Sequence, residues 1–438
     1  MSADMIILGK NTEFTTDTTV SGLYNNVLVV GPSGCGKTTS ITEPRLLETH
    51  NDSLIVPVTK RRLIDEYRGM FEKRGYIVEE LNFVEPYRCT VGFNPVRFAK
   101  SDLEIASLAR AIVYTDPNKK FSKIDPYWDN AGAALLTAEI AMARYKKGDR
   151  ATFTDVLDFH NRVSMGDSGD LFTTTVDRDF ERMKSEDPNS MAISCWNTYR
   201  NASAKTAGNI YSTLNACLNG LFIGEIRTLM TMDIRQVDFT RLASEKTVLF
   251  IVTSPMNPTL DSFINIFYST AFRALFEFAE SRHNGRLPIP VQVICDDFAT
   301  GCKIDDFAQK ISVFGAKGIS VMLLCQSESQ LAGLYGESDA TTIINNCDTY
   351  VYMGGMDLAT CRSISARMNL PLEDILYMPV GQEYIFRRGT HPVVTTRYDK
   401  KENIHYPETL SRRKADPVPQ RRRRETISLL SKGGIKAV

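Results

Sequence analysis

The residues best suited to chemistry form a glycine-rich segment close to the start of the chain. Its eight residues match the pattern G-x-x-x-x-G-K-[S/T] and are Gly31, Pro32, Ser33, Gly34, Cys35, Gly36, Lys37 and Thr38. Glycines in such a loop let backbone N–H groups converge on phosphate oxygens, and a helix that begins behind the loop adds partial positive charge. Lys37 is expected to bridge the β- and γ-phosphates of ATP, and Thr38 to ligate Mg²⁺.

The sequence on either side of this segment supports the same interpretation. The apolar run Val27–Val30 leads into it as a strand, and residues 39–41, which begin with Thr39, lead on into a helix. A strand, a glycine loop and a helix in this order are what phosphate binding requires. The alternative is a glycine-rich turn with an incidental lysine. We therefore predict a P-loop ATPase that binds ATP and Mg²⁺ through Gly31 to Thr39.

Two consecutive acids follow another apolar run and could supply the carboxylates that such an ATPase needs. The run Val291–Cys295 comes directly before Asp296 and Asp297. A carboxylate at the end of a neighbouring strand holds the Mg²⁺ shell, and a second one often polarises the attacking water. We assign Asp296 to the metal and Asp297 to the catalytic base, although aspartate is one methylene shorter than the usual glutamate. The alternative is a solvated turn at the end of the strand.

A third apolar run ends in an amide. Residues 322–325 precede Gln326, whose side chain could hydrogen-bond the γ-phosphate or the attacking water. Gln326 is therefore a catalytic candidate beside Lys37 and Asp297. The alternative is a glutamine that caps the following helix.

The elements that must position these residues follow two patterns along the chain. Up to about residue 100, β-rich runs alternate with helical stretches, as in a parallel α/β sheet, at 27–30, 54–58 and 76–83. Residues 101–204 show helical periods without convincing strands. Strand-like runs return at 247–252, 291–295, 320–324 and 350–353, and the pair 383–387 and 392–397 suits an antiparallel edge hairpin. The sequence thus predicts an α/β fold with an all-helical insertion.

Composition argues against several classes of protein. Lys plus Arg and Asp plus Glu both number 52 among 438 residues, so net charge indicates neither nucleic-acid nor membrane binding. Nine cysteines without a C-x-x-C pair argue against a disulfide framework and a zinc knuckle, and favour a reducing compartment. No signal peptide or membrane helix is evident, so we expect a cytoplasmic protein.

The end of the chain differs from the rest. Residues 409–438 are polar and basic, with the run Arg421 to Arg424, and are expected to form a disordered tail. This tail could bind DNA phosphates or an anionic membrane surface. The alternative is a solvated tail that aids solubility.

Together these motifs resemble the coupling ATPases of type IV secretion and bacterial conjugation, the TraG/TraD group of DNA-transfer motors. The resemblance spans about residues 26–397. Beside the phosphate loop it is carried by segments that are specific only in combination, namely Pro44-Arg45-Leu46-Leu47, Gly92-Phe93-Asn94-Pro95, Pro126-Tyr127-Trp128 with Ala131, Asp296-Asp297-Phe298, and Gln326-Ser327 with Gln330-Leu331 and Tyr335-Gly336.

The resemblance implies a RecA-like nucleotide-binding domain, here residues 1–100 and 205–408, interrupted by an all-α domain, here 101–204. It implies ATP bound between subunits of a homo-hexamer, although the isolated chain could be a monomer. It also implies DNA or a relaxosome-like nucleoprotein as substrate, and a type IV secretion channel or membrane-anchored partner. Members usually carry N-terminal transmembrane helices, so this chain is either trimmed or docks peripherally at the inner face of the cell membrane through a partner.

The chain departs from the family pattern near the nucleotide. Residues 58–61, Val-Thr-Lys-Arg, stand where the family often has D-P-K-G. Gly315 stands where the family often has an arginine that reaches into the neighbouring subunit's site, which leaves Lys317 as the nearest cation. An ammonium cannot make the planar bidentate contact of a guanidinium. With Asp297 in place of glutamate, these changes predict hydrolysis that is slow or waits for a substrate or partner.

Three functions remain open on this basis. The leading hypothesis is a coupling ATPase that recruits or moves DNA or nucleoprotein. A FtsK/HerA-like DNA-translocating ATPase is the second, although the glutamine-containing segment after residue 325 and the helical insertion favour coupling. The third is a substrate adaptor that changes conformation when it binds nucleotide but hydrolyses little of it.

Overall fold

The computed structural model describes residues 3–59, 61–114, 126–163, 175–222, 224–232, 234–254, 258–296, 298, 303–304 and 306–410. The strands are β1 Met5–Gly9, β2 Thr12–Thr15, β3 Val27–Val30, β4 Ser53–Val58, β5 Ile77–Asn82, β6 Thr247–Val252, β7 Val291–Cys295, β8 Ile319–Cys325, β9 Thr349–Tyr352, β10 Gln382–Arg387 and β11 Val393–Thr396.

The α-helices of the described residues are α1 Thr18–Ser21, α2 Glu43–Leu47, α3 Arg62–Lys73, α4 Asp102–Tyr114, α5 Pro126–Lys147, α6 Phe153–His160, α7 Thr175–Glu186, α8 Met191–Arg200, α9 Ala204–Leu221, α10 Gly224–Thr231, α11 Phe239–Leu242, α12 Pro258–Glu280, α13 Phe307–Lys317, α14 Glu328–Tyr335, α15 Glu337–Asn345, α16 Leu358–Met368, α17 Leu372–Leu376 and α18 Tyr406–Leu410. A π-helix covers Thr38–Thr42, and short 3₁₀ helices cover Pro86–Arg88, Pro95–Phe98, Gly148–Arg150 and Lys400–Glu402.

A nine-stranded sheet forms the centre of the molecule, in the order β11-β10-β9-β3-β8-β7-β4-β6-β5. From β9 to β5 every neighbouring pair is parallel, whereas β10 is antiparallel to both β9 and β11. Strands such as β6, in which all six residues are buried, suit a parallel sheet that is covered on both faces. The predicted α/β fold and edge hairpin are therefore confirmed.

Between β5 and β6 the described residues form helices joined by loops, with no strand apart from an isolated bridge between Gly92 and Gln236. Helix α5 lies at the centre of this region and packs against α4, α6, α8 and α9. The helices continue beyond the expected boundary at residue 204, because α9 and α10 extend them to Thr231. Their apolar residues join the core on one face of the sheet, and the division into domains stays a prediction.

A fully buried arginine joins four parts of the fold behind the phosphate loop. The Arg45 guanidinium on α2 donates to Asp52 at 2.6 Å, to Gln292 at 2.7 Å and to Asp4 at 3.5 Å. Burial, opposed by the charge of Arg45, raises the pKa of Asp52. The N-terminal segment, α2, the start of β4 and β7 are thus tied together, which fixes the helix that follows the loop.

We expect Arg45→Ala to lower the free energy of unfolding by about 3–5 kcal/mol, because it leaves two buried carboxylates without their cation. Chemical denaturation measures this difference. The matched control is Arg182→Ala, which removes a solvent-exposed arginine paired with Glu186 and should change the free energy by about 0.5 kcal/mol or less. Equal effects of the two substitutions would contradict a structural role for the buried network.

A second buried charge lies under the edge hairpin. The Glu383 side chain on β10 is fully buried, and neither carboxylate oxygen has a hydrogen-bond partner among the described residues. The N-terminal strand β1 covers it so closely that a Cβ at Gly9 would lie 2.7 Å from Glu383 Oε1. Burial, opposed by the charge of Arg397, raises the pKa of Glu383 to about 8 from 4.5.

This pKa predicts how stability depends on pH. The folded state holds the Glu383 proton more tightly than the unfolded chain does. The protonated carboxyl therefore contributes to the free energy of unfolding fully below pH 4.5, and this contribution is lost as pH rises through 8. The difference in free energy of unfolding between the unsubstituted protein and Glu383→Gln should therefore fall across this window, by up to about 1.4 kcal/mol per pH unit. Denaturation curves at several pH values test this. A pH-independent difference, like that expected for the exposed Glu337→Gln, would show that Glu383 keeps an ordinary pKa.

Candidate nucleotide-binding site

The phosphate loop begins where β3 ends. All four residues of β3 are buried, so the sheet fixes the point from which Gly31 leaves. Gly34 and Gly36 have φ angles of +76° and +91°, a left-handed conformation that glycine adopts without the steric cost of a Cβ. A Cβ at Gly31 would lie 2.7 Å from the Cys35 sulfur and 2.9 Å from Met353 Cβ. The loop therefore closes tightly on itself.

The ammonium group of Lys37 lies inside this loop. Its Nζ donates to the carbonyl oxygen of Gly31 at 2.7 Å and to that of Pro32 at 3.2 Å, and only 6% of the residue is exposed. The carbonyls hold the positive charge beside the backbone that is expected to bind phosphate. Lys37 thus lies where its predicted role requires it.

The helix behind the loop has a wide first turn. The π-helix Thr38–Thr42 is closed by a hydrogen bond from Glu43 N–H to the carbonyl of Thr38. Pro44 follows and has no N–H to donate to the preceding turn, which explains why regular α-helical hydrogen bonding is interrupted here. The helix continues as α2, whose five residues are all buried. This anchoring holds Thr38 at the amino end of the helix.

The predicted metal ligands meet at the carboxyl edge of the sheet. Thr38 Oγ1 donates to Asp296 Oδ2 at 2.8 Å. Thr38 belongs to the helix behind β3, and Asp296 directly follows β7. These two strands are not adjacent, because β8 lies between them in the sheet. A hydroxyl and a carboxylate oxygen are hard ligands of the kind that Mg²⁺ prefers. The contact therefore fits a magnesium site.

A cavity of about 510 Å³ opens at this contact. Seven of the predicted residues line it, namely Ser33, Gly34, Gly36, Lys37, Thr38, Thr39 and Asp296. Gly31, Pro32, Cys35 and Gln326 are not among its lining residues. Cys35 is buried, and this burial raises the pKa of its thiol. A larger cavity of about 630 Å³, beside α11 and α12, is lined by charges of both signs but has no glycine loop.

Sequence reasoning did not assign two other residues that line the cavity. Thr59, at the end of β4, and Arg62, at the start of α3, face it. The signal for Thr59 was the departure from the family pattern at residues 58–61, and Arg62 follows directly after that segment. The consecutive arginines Arg61 and Arg62 have different surroundings. Arg61 pairs with Glu80 at 3.1 Å, whereas Arg62 lines the cavity.

Gln326 comes directly after β8, between the ends of β3 and β7. The capping residue of the next helix is Ser327, whose side chain accepts from Gln330 N–H at 3.0 Å. The proposed alternative for Gln326, a helix cap, is therefore wrong. Its contact with γ-phosphate or water stays a prediction.

Asp297 lies outside the described residues, so its role as a base stays a prediction. Its neighbour Phe298 is 6% exposed, and its ring stacks on Tyr335 with a centroid distance of 5.6 Å. The backbone N–H of Phe298 also donates to Leu324 of β8 at 2.8 Å. The acidic segment and the glutamine-containing segment of the resemblance are therefore packed against each other.

Lys317 lies away from the site. It ends α13 just before β8 begins, at the amino edge of the sheet, whereas the phosphate loop lies at the carboxyl edge. Its Nζ pairs with Glu280 and lies 5.3 Å from the centre of the Phe276 ring. The structure does not bring Lys317 to the phosphate loop of its own chain, and its role in a neighbouring subunit's site stays a prediction.

The glycine that replaces the expected arginine has a packing reason. A Cβ at Gly315 would lie 2.2 Å from the Tyr24 ring, and Tyr24 itself is held by a hydrogen bond from its N–H to Asp348 at 2.7 Å. A larger side chain at residue 315 would therefore collide with the segment that leads into β3. This chain has no room for an arginine there.

Comparison with known proteins agrees with this geometry. Residues 5–368 match the family model described as Type IV secretory system Conjugative DNA transfer. The chain belongs to this family. No curated protein matches the chain.

Several solved structures share the fold. The bacterial conjugative coupling protein TrwBdeltaN70 in complex with sulphate is 17% identical, with 86% of each chain covered and a TM-score of 0.62. TrwB in complex with the ATP analogue ADPNP is 18% identical, again over 86% of each chain, with a TM-score of 0.60. VirB4 of Thermoanaerobacter pseudethanolicus is 14% identical over 91% of this chain and 96% of that one, with a TM-score of 0.52. The RecA-like P-loop NTPase fold is thereby confirmed.

Among the residues that the structure describes, no helix combines the length and apolar character needed to cross a membrane.

The contact between Thr38 and Asp296 predicts that this carboxylate carries the metal dependence of nucleotide binding. We expect Mg²⁺ to tighten ADP binding to the unsubstituted protein, and Asp296→Ala to reduce this effect at least about tenfold, since a hard anionic ligand is lost. Titration calorimetry with and without Mg²⁺ measures it. Asp158→Ala, at an exposed position of α6, is the control. An unchanged Mg²⁺ effect in Asp296→Ala would place the metal elsewhere.

Proposed function

We propose that this chain is an ATP-dependent coupling protein that recruits or moves DNA or nucleoprotein to a conjugative, type IV secretion-like machinery. The observation that carries the proposal is the 2.8 Å contact between Thr38 and Asp296 beside the glycine loop, within a member of this family. It joins the two oxygen ligands of a P-loop NTPase metal site in one cavity. TrwB has been solved with ADP and Mg²⁺, which supports ATP and Mg²⁺ as the cofactors here.

The chain's own groups would divide the work of hydrolysis as follows. The loop N–H groups and Lys37 would hold the β- and γ-phosphates, and Thr38 with Asp296 would hold Mg²⁺, which neutralises charge on those oxygens. Asp297 would accept the proton of the water that attacks the γ-phosphorus, and Gln326 would orient that water or the γ-phosphate. The bond to the leaving ADP oxygen breaks as the new bond forms.

The assembly proposed for this role is a homo-hexamer with nucleotide between subunits. In that arrangement the protein would work in the cytoplasm, at the inner face of the membrane, through a secretion channel or a membrane-anchored partner. Support comes from membership in the family and from the likeness of the fold to coupling proteins. The basic residues Arg421 to Arg424 lie outside the described residues, and contact with DNA or lipid remains a proposal for them.

A nucleotide-switched adaptor with little turnover is the second candidate, and one observation favours it. Tyr24 occupies the space that an arginine at residue 315 would need, and Lys317 is paired at the opposite edge of the sheet. A cation supplied by a neighbouring subunit can accelerate phosphoryl transfer by several orders of magnitude. Without it, nucleotide could bind tightly and turn over slowly.

Steady-state ATPase activity with and without single- and double-stranded DNA distinguishes the two. For the motor we expect DNA-stimulated turnover that Lys37→Ala and Asp297→Asn each reduce by at least about 100-fold, since each removes a group needed in the transition state. Lys401→Ala, an exposed lysine, controls for the loss of a surface charge. Tight ATP binding without turnover under any condition would rule out the motor and support the adaptor.

A further inference from the structure

An arginine that no motif contains lies beside the phosphate loop. Strand β11 is antiparallel to β10, which is antiparallel to β9, so β11 runs in the same direction as β3. Its carboxyl end therefore lies at the same edge of the sheet as the phosphate loop. Arg397 is the first residue after β11, as Gly31 is after β3 and Asp296 is after β7.

The backbone and the start of the Arg397 side chain are held against the loop. Its N–H donates to the carbonyl of Gly381 at 2.9 Å. Its Cδ lies 3.8 Å from the place that a Cβ at Gly36 would occupy, and the Thr39 and Ser40 hydroxyl oxygens lie 3.4 and 3.5 Å from the same place. The start of the arginine side chain thus lies beside Gly36 and the residues that are expected to bind phosphate.

One donor of the Arg397 guanidinium group is not satisfied by the described residues around it. Its Nε is buried and has no hydrogen-bond partner among the described residues. Burial raises the pKa of both the Glu383 carboxyl and the Cys35 thiol, and the positive charge of Arg397 opposes this effect at each of them. A buried donor without a partner costs free energy. A phosphate oxygen placed in the loop would remove this cost, and a guanidinium fits phosphate geometry well.

The segment after Arg397 is fixed along the helix behind the loop. Lys400 pairs with Glu43, and Asn403 Nδ2 donates to Glu48 Oε1 at 2.8 Å. Glu43 is 1% exposed, so the first of these contacts is made in the interior. Because the chain is held on both sides of Arg397, the guanidinium is brought close to its position before a ligand binds, which lowers the entropic cost of binding.

The side from which Arg397 approaches indicates which phosphates it meets. Thr38 and Asp296 would hold the metal on the side of the loop that faces β8 and β7, and the γ-phosphate would be transferred on that side. Arg397 lies on the opposite side of β3, where β9, β10 and β11 follow one another in the sheet. We infer that Arg397 binds the phosphates that remain in ADP, on the side of the loop opposite the metal. This inference rests on the proposed function, because it assumes that the loop binds a nucleotide.

Calorimetric titration of the full chain with Mg-ATP, Mg-ADP, pyrophosphate and adenosine tests the inference. Arg397→Gln should weaken binding of the first three by about 10- to 100-fold, the usual effect of losing a charged hydrogen bond. ATP and ADP should lose the same factor, since the γ-phosphate is not contacted, and any adenosine binding should not change. Arg397→Lys should retain part of the affinity because it keeps the charge. Lys401→Gln, an exposed lysine of the same segment, is the matched control.

The outcomes separate this inference from the proposed function. If the unsubstituted protein binds ADP and both Arg397 variants bind it equally well, the inference is wrong and the proposed function stands. A loss confined to ATP would place Arg397 at the γ-phosphate and would also overturn the inference. If the unsubstituted protein binds none of the phosphate ligands, both are wrong. Thermal unfolding of each variant shows whether it is folded. If Arg397→Gln does not fold, Arg397→Lys alone still tests the inference.

Discussion

The parallel direction of the strands is the constraint on which the candidate site depends. Because β3, β8 and β7 run the same way, their carboxyl ends meet at one edge and bring Gly31, Gln326 and Asp296 together. The strands can run parallel because their residues are apolar and both faces of the sheet are covered. Thr38 and Asp296, which are far apart in the sequence, thereby line a single cavity. The hydrogen bond between Thr38 and Asp296 is the direct result.

Buried charges hold the phosphate-binding helix from behind. Arg45 binds the N-terminal segment and the starts of two strands, and Glu43 binds the segment that follows the edge hairpin. Each buried charge is costly to desolvate, and it is tolerated because partners are fixed around it. The two ends of the described chain therefore meet at the helix that carries Thr38. We therefore expect a substitution that displaces either end to shift the helix that carries Thr38.

The cations around the site are arranged differently from what the family pattern led us to expect. Tyr24 closes the place of the expected arginine, and Lys317 is engaged at the opposite edge. Arg62 and Arg397 instead lie at the carboxyl edge of their own chain. Their positions suit the binding of phosphates better than the acceleration of their transfer between subunits.

The sequence alone determined the phosphate loop, because a glycine loop between a strand and a helix is local and its backbone requirements are visible in residue types. It also determined the apolar runs that end in Asp296 and Gln326, and so their places at strand ends. Only the tertiary structure decided that Lys317 lies at the amino edge of the sheet, opposite its own chain's phosphate loop, since a short distance along the sequence can cross the whole sheet. It alone revealed Arg45 and Arg397, because their partners are brought to them by packing between distant segments and not by a local pattern.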